Sequence, residues 1–166
     1  ENTRTNRVHT YVNSGDYDVT VLGELIGWSH YNSDDNLSKS KIYNIKQWGK
    51  GFRFLNTNKG CYLNQAPNLE VTATDLLNLE GVTVLRALFN SDTKLTFNES
   101  LRNWNVSNIK TMEYLFWNCF LFNQDVSSWD FSGLNSEISL RNFMLGKSSA
   151  NYDATYYDNL LIKWAS

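Results

Sequence analysis

The chain has 166 residues, a formal net charge of −2 and a sequence pI of about 5.7. That length suits one domain able to bury a core without a metal or disulfide framework, and the charge argues against nucleic acid or an anionic membrane as the main partner. No run of 18 apolar residues occurs, so no membrane span is expected.

Aromatics reach 14%, with six Trp, and there are 22 Asn but a single Pro. Asn tolerates left-handed backbone and bonds neighbouring amides, so this composition reads as many tight turns. Large apolar anchors set among so many turns point to short, stacked elements.

The opening Glu1-Asn2-Thr3-Arg4-Thr5 is polar and lacks the apolar core of a signal peptide, though a trimmed chain would look the same. Tyr17, Val19 and Val21 alternate with Asp16, Asp18 and Thr20 after the turn Asn13-Ser14-Gly15, which predicts a half-buried strand. Residues 8–12 are its expected hairpin partner. A polar loop follows from Ser29 to Ser40, and Ile42, Ile45 and Trp48 predict a joining strand. Residues 1–48 are thus read as a β segment, 49–148 as repeats and 149–166 as a capping helix.

The repeat is the strongest signal. Phe97-Asn98-Glu99-Ser100-Leu101-Arg102-Asn103-Trp104-Asn105-Val106-Ser107 realigns with Phe122-Asn123-Gln124-Asp125-Val126-Ser127-Ser128-Trp129-Asp130-Phe131-Ser132, 25 residues on. Leu101, Trp104 and Val106 carry the L-x-x-L-x-L spacing of a leucine-rich unit. Between the copies, Ile109, Met112, Leu115 and Phe116 recur at helical spacing. Val82, Leu85, Leu88 and Phe89 do so upstream, as Leu140, Phe143 and Met144 do downstream. The predicted fold class is an α+β repeat solenoid of leucine-rich-type β-strand/short-helix repeats, with an N-terminal β-hairpin and a C-terminal helical cap. Its expected core is Phe97, Leu101, Trp104, Val106, Ile109, Met112, Leu115, Phe116, Phe122, Val126, Trp129 and Phe131. Tyr157, Leu160, Leu161 and Trp164 form the stripe of the cap helix, with Asp153 as N-cap.

The run Trp104-Asn105-Val106-Ser107-Asn108-Ile109 to Phe122-Asn123-Gln124-Asp125-Val126, then Trp129-Asp130-Phe131-Ser132, resembles the BspA-like surface-protein repeat of bacteria. The ending Ala150-Asn151-Tyr152-Asp153 … Leu160-Leu161-Ile162-Lys163-Trp164-Ala165 is similar to the terminal cap of such arrays. At the start, His9-Thr10-Tyr11 … Gly15-Asp16-Tyr17-Asp18-Val19-Thr20-Val21 resembles the closing hairpin of a PKD-type immunoglobulin-like domain whose earlier strands are missing. That implies a C-terminal fragment of something longer. The repeat resemblance implies a place outside the cytoplasm and a role in adhesion or recognition; similar arrays in phage structural proteins imply a virion setting instead.

Catalytic candidates are few. His9 belongs to the hairpin motif, and His30 has no recognisable nucleophile or orienting acid. Cys61 and Cys119 lie in apolar surroundings that suit buried thiols better than a bridge. No phosphate loop, H-E-x-x-H or C-x-x-C occurs, so no enzyme and no cofactor are expected. Asp16 and Asp18 are weak metal candidates on one strand face, with Asp34 and Asp35 the other nearby acids; a solvated face is the commoner reading. For binding, Tyr114 and Trp117 flank the buried stripe, and Arg102, Lys110 and Glu113 join Glu99, Asn103, Asn118, Gln124 and Ser127 as exposed repeat positions. The expected function is a non-catalytic, surface-exposed recognition or adhesion module whose repeat face meets a protein or glycan on a cell surface. The alternative is a structural or decoration subunit of a virion or surface layer, contacting other subunits of the same assembly.

Overall fold

A computed structural model describes residues 10–30, 39–99 and 101–166 of the chain. Regular structure is sparse. Strands β1 (Leu25–Trp28), β2 (Asn44–Ile45), β3 (Phe52–Phe54) and β4 (Glu70–Val71) are followed by a 3-10 turn at Leu101–Asn103 and the helix α1 (Ala154–Ala165). They make two sheets of two strands, β1 with β3 and β2 with β4, both parallel. Leu25 stands opposite Phe52 and Trp28 opposite Phe54, with an irregularity at Gly27, whose φ is 100°. Parallel pairing needs a long return, and between β2 and β4 turns and coil supply it in place of a crossover helix.

The α+β solenoid of strand and short-helix repeats is therefore corrected. The described residues hold two small sheets and one α-helix of defined bounds, at the C-terminus. The stretches expected to be helical, 82–89, 109–116 and 140–144, are chains of turns. Leu88 donates to Leu85 O, Leu115 to Met112 O and Phe143 to Leu140 O, all three-residue reaches. Such turns place residues i and i+3 on one side, which is why the apolar spacing imitates a helix. Helix is prevented by left-handed residues inside each stretch: Ala87 (φ 51°), Tyr114 (φ 60°) and Asn142 (φ 55°). A left-handed residue other than Gly costs about 1–2 kcal/mol, so something must offset it.

The offset is visible in the amides. Leu85, Ala87, Phe89 and Ser91 donate to the carbonyls of Thr111, Glu113, Leu115 and Trp117; Met112, Tyr114, Phe116 and Asn118 donate in the same way to Ser139, Arg141, Phe143 and Leu145. Alternating residues thus turn their N–H groups toward the following segment, satisfying donors that a helix would keep for itself.

The predicted N-terminal hairpin is also corrected. Residues 10–24 are coil, and Tyr17, Val19 and Val21 are exposed. Tyr17 stacks on Tyr11 at 4.0 Å and donates its hydroxyl to Asn13 O at 2.7 Å, a local knot instead of a strand pair. Val8 and His9 lie outside the described residues. Of the expected joining strand, Ile45 is in β2, while Trp48 is a buried residue of the coil that follows.

The core runs from Trp48 and Phe54 to Tyr152 and Leu160. Leu101, Trp104, Val106, Ile109, Met112, Leu115, Phe116, Phe122, Val126 and Trp129 are buried, while Phe97 and Phe131 are partly buried against them. The repeated Trp pair stacks: the rings of Trp104 and Trp129 lie 6.1 Å apart and 7° from parallel. Trp129 donates its indole N–H to Leu101 O at 2.7 Å, so the ring also closes a backbone acceptor. Helix α1 begins with Asp153 accepting from Thr155 N at 2.8 Å, and it lays Leu160 in the core.

Candidate functional site

Gln124 is clamped in place. Its side-chain oxygen accepts from Leu101 N (2.9 Å) while its nitrogen donates to Phe97 O (3.1 Å) and Glu99 O (2.9 Å). Beside it the buried Asp125 accepts from Ser127 N at 2.9 Å and from Arg102 at 2.8 Å. Burial works against ionisation of Asp125, but the Ser127 hydrogen bonds and Arg102 outweigh it and hold the carboxyl below its ordinary range. Asn123 accepts from Asp153 N at 2.9 Å, and Tyr152 donates to Gln124 O at 2.9 Å, so the start of α1 is sewn to the same segment. These groups border an open cleft of about 400 Å³ that Asn98, Glu99 and Tyr156 also line. Asn123 is shared with a neighbouring groove of about 370 Å³ along Phe120, Leu121, Ala150 and Tyr152.

Lys147 is held by the backbone of the same segment. Its ammonium donates to Cys119 O, to Phe122 O at 2.5 Å and to Phe120 O at 3.2 Å, and it lies 5.6 Å from the Phe122 ring centroid and 5.9 Å from that of Tyr152. Its partners are neutral carbonyls and ring faces, and burial lowers its pKa to about 8.

The residues expected to bind are scattered. Arg102 lines the cleft, as do Glu99 and Gln124, though Glu99 is buried, with one oxygen accepting from Trp104 Nε1 at 3.1 Å. Burial raises the pKa of Glu99. Glu113 is not an exposed contact: it is buried, ion-paired to Arg86 at 2.8 Å and to Arg141. The same two guanidiniums lie 5.8 and 5.4 Å from the Tyr114 ring centroid, one from each adjoining segment. Tyr114 is thereby the middle of an internal staple, with Trp117 5.2 Å away and half-buried. Lys110 is exposed and takes part through its backbone, donating to Thr83 O at 2.7 Å and accepting from Ser139 Oγ at 3.0 Å.

Asn98, Asn123, Asp125 and Tyr156 are the cleft residues that the sequence reading missed. Asn98, Asn123 and Asp125 lie inside the repeated motif, whose F-N-x-x-[LV] start could have marked them; Tyr156 arrives from the cap helix, and only folding brings it there.

The metal and acid–base candidates fare differently. Asp16 and Asp18 are on exposed coil, and Asp18 pairs with Lys46 at 2.5 Å. Asp34 and Asp35 lie outside the described residues. Among the described residues no three His, Cys, Asp or Glu side chains gather. His30, expected in a polar loop, is buried against Trp28 (5.5 Å), and burial lowers its pKa. Cys61 and Cys119 are free thiols, and the Cys119 Sγ donates to Phe89 O at 2.9 Å. No helix among the described residues is long and apolar enough to cross a membrane.

A chain of turn segments joined by forward hydrogen bonds, with an open polar cleft beside its terminal helix, is the class of protein that the geometry defines. The family profile described as "Mycoplasma protein of unknown function, DUF285" matches residues 57–157, well over half of the chain. The chain belongs to that DUF285 family. No curated protein and no solved structure matches it.

Proposed function

We propose that this protein is a non-catalytic recognition module, displayed at an outer surface, that binds a protein or glycan partner. The observation that carries the reading is the cleft, whose polar side chains are fixed before any ligand arrives. Gln124 and Asp125 are bonded to backbone amides or carbonyls, and Arg102 is oriented by Asp125. Preset groups lose little freedom on binding, which is how a small site gains affinity. The resemblance to BspA-like surface repeats supports the same setting.

The test is surface plasmon resonance of the chain over immobilised matrix and serum glycoproteins and a printed glycan panel. At least one partner should bind, and Arg102→Ala should weaken it about tenfold, or 1.4 kcal/mol. Tyr114→Ala with Trp117→Ala should matter less, because Tyr114 is engaged internally. Silence across both panels would sink the recognition reading.

A second reading, an assembly element of a virion or surface layer, is favoured by exposed apolar side chains on α1: Ile162 is 68% exposed, and Tyr157 and Leu161 are exposed beside it. Analytical ultracentrifugation separates the two, since that reading requires concentration-dependent self-association that Ile162→Glu abolishes.

A further inference from the structure

We infer that the cleft beside α1 is a binding site for a neutral saccharide. This deepens the recognition reading and rests on it. Charge narrows the ligand first. Arg102 is paired with Asp125 at 2.8 Å, and Glu99 is a second carboxyl in the lining, so the cleft has no surplus positive charge for a phosphate, sulfate or sugar acid. Asp125 in turn is already committed to Arg102, Ser127 and, at 3.4 Å, Asn159, which leaves no free carboxylate pair for a metal.

What remains is planar and polar. The Arg102 side chain is 55% exposed and gives Asp125 its Nη1, and a guanidinium carries further donors beside that one. The amides of Asn98 and Asn123 add both donors and acceptors. Vicinal hydroxyls donate and accept at once, and planar groups that offer two adjacent polar atoms match them.

The apolar side of the ligand also has a place. Tyr156 lines the cleft, and Asn123 also lines the neighbouring groove that holds Phe120 and Leu121. Sugar rings present C–H groups on one face and hydroxyls at the rim, so a polar cleft beside an apolar groove suits two linked rings. A peptide is less well served, because the cleft offers no strand edge and no enclosed apolar pocket.

Saturation-transfer NMR on the whole chain tests this with four neutral disaccharides (lactose, maltose, cellobiose and diacetylchitobiose) and with sialyllactose as the charged control. Transfer to at least one neutral disaccharide is expected. Tyr156→Ala should weaken it about tenfold while lowering the melting temperature, because its ring also packs on the core, and Asn98→Ala should weaken it about tenfold with unchanged melting temperature. Arg102→Lys should do the same, because it keeps the charge and loses the planar fork. No transfer to any neutral sugar, transfer to sialyllactose alone, or transfer that all three variants leave intact would each overturn the inference. If the sugars fail while immobilised proteins still bind, recognition survives and only the saccharide assignment falls.

Discussion

Asp92 has no exposed surface. One of its oxygens accepts from Ala66 N at 2.6 Å, and the other has no hydrogen-bond partner among the described residues. Burial pushes its pKa well above the ordinary 3.8. A raised folded pKa means that the folded chain holds the proton after the unfolded chain has released it, so stability falls as pH rises from about 4 through the raised value. Asp92→Asn keeps an acceptor for Ala66 and removes the titration. The variant should melt above the natural chain at pH 7, and the gap should shrink at pH 4, as read by calorimetry. Cys119 is buried and its pKa is likewise raised by burial, whereas Cys61 is partly exposed. Iodoacetamide should therefore modify Cys61 alone in the folded chain and reach Cys119 only on unfolding, which mass spectrometry resolves.

Turns and caps govern the elements. Gly60 is left-handed at φ 66°, and a Cβ there would meet Arg86 O at 2.1 Å, the carbonyl that accepts from Cys61 N. Gly60→Ala combines that clash with a strained backbone and should cost about 2 kcal/mol or more in urea unfolding. At the far end, Asp153→Ala removes the cap of α1 and should cost about 1 kcal/mol. Some of the turn chemistry was legible: Asn118 and Asn142 are Asn at positive φ, as an Asn-rich chain leads one to expect. Ala87, Ser91 and Tyr114 hold the same conformation with residues that give no such signal. The stripes around them carry a helical signature because i, i+3 turns and helices bury the same positions.

Across the whole molecule, stability rests on aromatic layers and on amides passed from one segment to the next. Trp129→Ala removes the ring stacked on Trp104 and the donor to Leu101 O, and should cost about 3–5 kcal/mol in denaturant unfolding. Hydrogen exchange should be slowest at the forward-donating amides of Phe89, Tyr114 and Phe116 and fast throughout the exposed coil 10–24. Equal exchange in the two regions would show that the ladder is not the stable unit. Within the repeats the apolar pattern is enough to say which residues go inside, because a Phe and a Trp recurring 25 residues apart with matched aliphatics can hardly be solvated, and Asp153 is legible as a cap. Sequence alone misplaces Tyr17, Val19 and Val21, which are exposed, and Glu113, which is buried. Tertiary structure decided the rest. Whether an apolar stripe coils into helix or breaks into turns depends on where its amides find acceptors, and those carbonyls are 25 to 27 residues away. The cleft is decided in the same way: Arg102 and Asp125 come from successive copies and Tyr156 from the terminal helix, so it exists only once all three have been brought together.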